Sequence, residues 1–277
     1  LLRQPIETIE LKKIVEPVSY DKTIAAQCLR IANSPLYGRM KGTESVQAAV
    51  LTLGIQRVED ILLTCCLQRF GEGADGGTDL VAFWMHSLGC ATVCREFAER
   101  TGYREPEKAY LAGLLHDLGI LVNSLVYKSE YPTVPHEAQE RGAALAEVEF
   151  KELGFTHCES GAVLGASWQL PQAIGEVIQY HHDIERAPKG KPLVALVHLA
   201  DLSCRMRGLG YGYDEWHSVD IMADPAWAEL APYCPRLEKM DLARFTMDLD
   251  AFLPRVQTLV ETVFAPTAKQ SLSEVHH

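Results

Sequence analysis

Leu114-Leu115-His116-Asp117-Leu118-Gly119-Ile120 sets an imidazole and a carboxylate side by side within an apolar run of helical character. Burying either group is costly unless something compensates it. A metal ion is the usual compensation, and other candidate ligands are spread along the chain. His86 lies upstream; His157, the pair His181-His182 and Asp201 follow downstream, each within an apolar helical pattern. A mixed imidazole and carboxylate set suits iron, manganese, zinc or nickel. Neighbouring positions on a helix point about 100° apart. His116 and Asp117 are therefore expected to reach one cavity from a single helix over residues 106 to 126. The two oxygens of Asp117 could then bridge a pair of divalent ions, and His181-His182 would repeat the arrangement from another helix.

The rest of the composition narrows the classes. The chain has 277 residues, 47% of them hydrophobic, enough for one large or two modest domains. A formal net charge of -11 argues against nucleic acid as a partner, because that needs a basic face. A local pocket for a small phosphate-containing ligand is compatible with it. No apolar run reaches the roughly 18 uncharged residues of a membrane span and no signal-peptide pattern opens the chain, so no membrane is expected. The eight cysteines include no C-x-x-C pair and sit mostly among apolar helical neighbours, as reduced thiols of a cytoplasmic protein would.

Helical periodicity runs throughout and no alternating strand is found, so the expected class is all-α: a helical bundle with an N-terminal helical lobe and a C-terminal helical extension. Helices are expected over 6 to 16 (Ile9, Ile14, Val15), over 21 to 32 with Asp21 as N-cap, from Thr43 to Leu53, and from Val58 to Phe70. Asn33-Ser34-Pro35 ends the second of these as a structural turn. The glycine-rich stretch from Gly71 to Gly77 is the best boundary, dividing an N-terminal lobe (1–72) from a ligand-bearing lobe (78–207). Helices follow near 79–101, 106–126, 136–153, 157–166, 171–182 and 192–207. Residues 208–240 read as irregular, and a final amphipathic helix carries Phe245, Leu249, Phe252, Leu253, Val256 and Leu259, with a kink or restart at Pro254. His136 and His217 are read as surface or loop residues, and His198 as a packing or supporting residue near Asp201. Tyr211 and Tyr213 would border or cover the pocket, and His276-His277 carry no weight.

Several segments together resemble the HDOD domain, the HD-related output domain of bacterial signalling proteins. They are Leu29-Arg30-Ile31-Ala32-Asn33-Ser34-Pro35-Leu36-Tyr37-Gly38, Ala48-Ala49-Val50-Leu51-Thr52-Leu53-Gly54, Phe83-Trp84-Met85-His86-Ser87, Ala112-Gly113-Leu114-Leu115-His116-Asp117-Leu118-Gly119, and Trp168-Gln169-Leu170-Pro171 before Tyr180-His181-His182. The resemblance implies an HD-like bundle holding two divalent metal ions. By likeness to the phosphodiesterases of that superfamily, one ion takes His86, His116, Asp117 and Asp201; the second shares Asp117 and adds His157, His181 and His182. The chain departs from the catalytic branch where it places a lysine (Ile120), a Gly-Tyr-Pro motif (Asp183-Ile184-Glu185) and a carboxylate for a third ion (Ala82). The resemblance therefore implies first a signal-transduction output module that contacts a signalling partner between its two lobes, or binds a small phosphate ligand. A metal-dependent phosphohydrolase is the alternative, with Asp117 as catalytic residue orienting the nucleophile and Arg186, Lys189 and Lys191 as substrate-binding cations in place of the missing lysine. A diiron oxygenase and a metal-free scaffold are further options.

Overall fold

A computed structural model describes residues 22–37, 42–71, 79–210 and 221–263. The helix expected over 6–16, the Asp21 cap, the glycines after Gly71, Tyr211, Tyr213, His217 and the terminal histidines lie outside the described residues, as does Gly38. Among the described residues every regular element is helical. In the N-terminal lobe, α1 (Lys22–Ala32), α2 (Val46–Leu53) and α3 (Ile55–Gly71) pack on one another. The ligand-bearing part contains α4 (Leu80–Thr101), α5 (Pro106–Leu115), α6 (Leu118–Val126), α7 (Thr133–Arg141), α8 (Leu145–Leu153), α9 (His157–Ser167), α10 (Gln172–Tyr180) and α11 (Lys191–Arg205). A short α12 (Ala226–Leu230) and a long α13 (Leu242–Val263) complete it, and α13 lies against α4 and α1.

Asn33 acts as the turn-maker the sequence predicts. Its side-chain amide donates to the Thr43 carbonyl at 3.0 Å and its oxygen accepts from the Thr43 N–H at 2.7 Å. With both main-chain groups of Thr43 engaged, the next helix starts later than expected and is capped by Ser45, which accepts from Ala48 N–H at 3.0 Å. A buried ion cluster then fastens this lobe to the rest. Arg95 of α4, 2% exposed, pairs with Asp60 of α3 and with Glu107 of α5 at 2.6 Å, and its guanidinium lies 3.7 Å from the Tyr110 ring centroid. Such a cluster fixes register more surely than it adds stability.

Two helices predicted as continuous are broken. The helix expected over 136–153 begins at Thr133 and splits at Gly142, whose φ of 58° is left-handed. Residues 106–126 split at the His116-Asp117 doublet, where Asp117 has φ -99° and ψ 15° and α6 restarts at Leu118. By length and composition Pro106–Val126 could cross a membrane, but 78% of the relevant window is buried within the protein. It forms two core helices, α5 packed on α4, α10 and α11 and α6 on α9. Pro254 does not interrupt α13, which is assigned as a single helix through it.

Two glycines allow the close approaches that build the cavity. A Cβ on Gly113 would stand 2.9 Å from the Ala91 backbone of α4, and one on Gly119 only 1.8 Å from the carbonyl oxygen of His157. The second contact brings the start of α9 against the start of α6. Gly119→Ala is therefore expected to destabilise the protein by about 3 kcal/mol or more, because backbone rather than a flexible side chain must yield. Chemical denaturation checks this; an unchanged midpoint would show that the helices are not in backbone contact.

Candidate metal centre

Every member of the predicted cluster comes from an element end or a buried helix face. His86 and Asp201 project from the middle of α4 and α11; His116 caps the C-terminus of α5; Asp117 stands at the N-cap of α6; His157 is the first residue of α9; His181 and His182 follow α10. An N-cap aspartate ordinarily accepts hydrogen bonds from the first turn of its helix. Asp117 makes no such bond, and its oxygens turn to the histidines instead.

The two oxygens diverge. Oδ2 lies 3.1 Å from His116 Nε2 and 3.4 Å from His86 Nε2, and His86 Nε2 lies 3.2 Å from both His116 Nε2 and Asp201 Oδ1. Oδ1 lies 3.3 Å from His181 Nε2 and 3.4 Å from His157 Nε2, which is 3.2 Å from His182 Nε2. One carboxylate thus stands between a His86–His116–Asp201 set and a His157–His181–His182 set.

The opposite ring nitrogens settle what faces the cavity. His86 Nδ1–H donates to the Leu209 carbonyl at 2.5 Å and His116 Nδ1–H to the Gly113 carbonyl at 2.8 Å. His181 Nδ1–H is shared between the Val177 and Ile178 carbonyls at 3.1 Å. Carbonyls only accept, so each proton sits on Nδ1 and a lone pair on Nε2 points inward. His116 and His181 obtain this in the same way, each ring closing on a carbonyl three or four residues earlier in the last helical turn; the Val177 carbonyl accepts the His181 backbone N–H as well. His157 Nδ1 is held by Glu149 Oε2 at 2.6 Å, and Glu149, fully buried, also accepts from His157 N–H, Tyr131 Oη–H and Asn123 Nδ2–H at 2.7, 2.6 and 3.2 Å. Carboxylates and carbonyls behind imidazoles are the usual outer partners of metal-binding histidines.

Lone pairs of imidazoles and carboxylates this close repel one another unless a cation or protons intervene. His181 Nε2 is buried without a hydrogen-bond partner, as expected of an atom kept for a metal. The donor set is that of divalent transition ions, and the residues fit two such ions. In their absence protons take the same place. Burial alone would depress the His86 imidazolium, but Asp117 and Asp201 beside it outweigh burial and raise its pKa to about 10. Burial would likewise raise the two carboxyls; His116 and further histidines hold Asp117 well below the ordinary carboxylate range, and Arg205 with His86 does the same for Asp201.

Two supporting residues went unread in the sequence. Glu149 is one. Arg205 is the other: one turn after Asp201, it donates to Asp201 Oδ2 at 2.5 Å and leaves Oδ1 for the cavity. Its spacing from Asp201 was the available signal. His198 supports the cluster indirectly, contacting the His181 carbonyl at 2.8 Å and Asp224 at 3.2 Å. The cations expected to bind substrate have other neighbours. Arg186 is exposed and 3.8 Å from Asp183, Lys191 lies 4.0 Å from Glu229, and Lys189 lines a groove with Tyr103, Glu105, Lys108 and Glu176. Ile120, at the place of the absent lysine, is buried in the core.

With this geometry in place, comparison with known proteins is decisive for the family. The model of the HDOD domain matches residues 4–184. The chain belongs to the HDOD family. The crystal structure of an HDOD domain protein of unknown function from Geobacter sulfurreducens superposes with a TM-score of 0.83 at 29% identity, covering 95% of this chain and 89% of that one. A protein from Shewanella amazonensis SB2B, provisionally assigned as a phosphohydrolase, shares the fold with a TM-score of 0.70 at 22% identity, over 93% and 88% of the two chains. An uncharacterised protein of Treponema pallidum (strain Nichols) is 26% identical over 205 residues; this HDOD chain spans 38% of that protein's length.

Glu149→Gln should keep the fold, since the amide oxygen can still accept, and should weaken metal binding roughly 10- to 100-fold; titration with zinc reads this, and unaltered affinity would remove Glu149 from the centre. The metal-free protein should also show a definite pH profile. The folded-state pKa of His86 is raised above its ordinary 6.5, so its stabilising contribution is full below pH 6.5 and is lost as the pH rises through about 10. Melting temperatures in chelator should fall across that window, and added zinc should flatten the fall.

Proposed function

We propose that this HDOD chain is an output module of a signal-transduction protein whose ligand-bearing lobe is organised by a dinuclear metal centre. Its supporting observation is the divided carboxylate of Asp117, with one oxygen toward each histidine set at 3.1–3.4 Å. His86, His116, Asp117 and Asp201 would hold one ion, and Asp117, His157, His181 and His182 the other. Their side chains are 0–5% exposed except His182 at 30%. A centre so enclosed favours organising the lobe over processing a large substrate. A signalling protein would engage the surface between the N-terminal and ligand-bearing lobes, and a small phosphate-containing ligand would enter beside His182. Free cysteines and the net charge of -11 suit a cytoplasmic protein that binds neither nucleic acid nor membrane.

A phosphohydrolase is the second reading, supported by the two adjoining ligand sets and by the provisional assignment of the Shewanella protein. Paired ions polarise phosphoryl oxygens and activate water; Asp117 would orient the nucleophile. Against it stand the burial of Ile120 and the engagement of Arg205, beside the cluster, by Asp201.

Elemental analysis and zinc titration of the purified chain test the proposal. Wild type should take up two equivalents and Asp117→Asn no more than one, with unchanged helicity by circular dichroism. Two equivalents in Asp117→Asn, or none in wild type, would overturn the centre. The metal-loaded chain should not turn over a panel of phosphomonoesters and phosphodiesters. Turnover abolished in both His116→Ala and Asp117→Ala would instead establish the hydrolase.

A further inference from the structure

Each histidine set has a cysteine among its donors. Cys90 lies one turn after His86 on α4, with Sγ 3.5 Å from His86 Nε2, and its sulfur and donor atoms of His86, His116 and Asp201 all lie within 4.8 Å of one another. Cys158 follows His157 at the start of α9 and is grouped within the same limit with His157, His181 and His182. Both cysteines are buried and free.

We propose that the centre is sulfur-ligated, with Cys90 completing the first ion's donors and Cys158 the second's, which makes it a site for thiophilic divalent ions, zinc above all, rather than magnesium or manganese. This rests on the dinuclear reading above and specifies its chemistry. Zinc bonds of about 2.0–2.1 Å to nitrogen and 2.3 Å to sulfur set tetrahedral ligand–ligand edges of roughly 3.3–3.6 Å. The His86 Nε2 edges to His116, Asp201 and Cys90 are 3.2, 3.2 and 3.5 Å. The longest falls on sulfur, as its larger radius requires.

Charge points the same way. Two divalent ions bring four positive charges, while Asp117 and Asp201 supply two negative ones. The outer charges, Arg205 behind Asp201 and Glu149 behind His157, offset each other. That would leave two positive charges in a nearly closed cavity, a costly state. A coordinated thiol is deprotonated outright, so Cys90 and Cys158 would supply the two missing charges and pass their protons to solvent. With sulfur added, each ion has five protein donors within reach, one more than a closed tetrahedral site needs, so neither ion keeps a position open for catalysis.

Cobalt(II) substitution separates this inference from the reading beneath it. The probe is cobalt alone, added to the metal-free full chain, with stoichiometry measured by elemental analysis and the electronic spectrum recorded. Two bound cobalt ions with a near-ultraviolet sulfur-to-cobalt charge-transfer band are expected. Cys90→Ser and Cys158→Ser should each remove about half of the band, and the double variant all of it. Two bound ions without the band, or a band unchanged in the double variant, would overturn sulfur ligation and leave the dinuclear centre standing. A band lost entirely in one single variant would overturn the other cysteine's assignment. Failure of the wild type to bind cobalt would overturn both readings, and the wild-type spectrum is independent of how well any variant folds.

Discussion

Asp117 turns one carboxylate oxygen to each of two histidine sets, and much of the surrounding architecture makes that position available. Its backbone leaves helical geometry, so α5 ends with His116 pointing inward and α6 begins at a new angle. Gly119 admits the carbonyl of His157 to a distance no side chain would allow, bringing the first turn of α9 to the same carboxylate. Gly113 draws α5 onto α4, where His86 resides. A side chain at either glycine would push a ligand-bearing helix outward. The apolar packing between these helices therefore does more than exclude water; it sets the spacing of the donors.

Much of this was legible in the sequence. Helical periodicity identifies the class, and the apolar setting of the imidazoles and carboxylates, taken with the HDOD resemblance, picks out the seven residues that converge. The doublet's helix break was not legible, because Leu114 to Ile120 reads as uninterrupted apolar helix. The break is imposed by α9 seated on Gly119, a contact between residues far apart in the chain. Thr43 and Ser45 are both good cap formers, and the choice between them depends on Asn33 ten residues earlier. Glu149 lies within a polar-looking helix, and nothing local marks it as buried; only its tertiary contacts with Tyr131, Asn123 and His157 do. Arg205 could have been read from its spacing to Asp201. Lys189, close in sequence to the histidine pair, lines a groove with Glu105 and Glu176, a placement that sequence proximity does not reveal.

Tautomer control links fold to chemistry. Four of the five clustered histidines have Nδ1 committed to an acceptor of the surrounding framework, so the inward lone pairs follow from secondary structure rather than from chance rotamers. The protein accordingly builds a strongly electronegative interior whose repulsion must be relieved by protons or cations. Occupancy and stability are thereby linked: whatever binds there stabilises the arrangement of helices around it.

The family match ends at residue 184, yet Asp201, Arg205 and Leu209 lie beyond it. A fragment trimmed to the recognisable boundary would keep all five imidazoles. It would lose the second carboxylate, the guanidinium that orients it, and the carbonyl that fixes the His86 tautomer. The clustered donors thus extend past the matched residues, and α11 with the turn after it belongs to any piece of this chain intended to keep these side chains together.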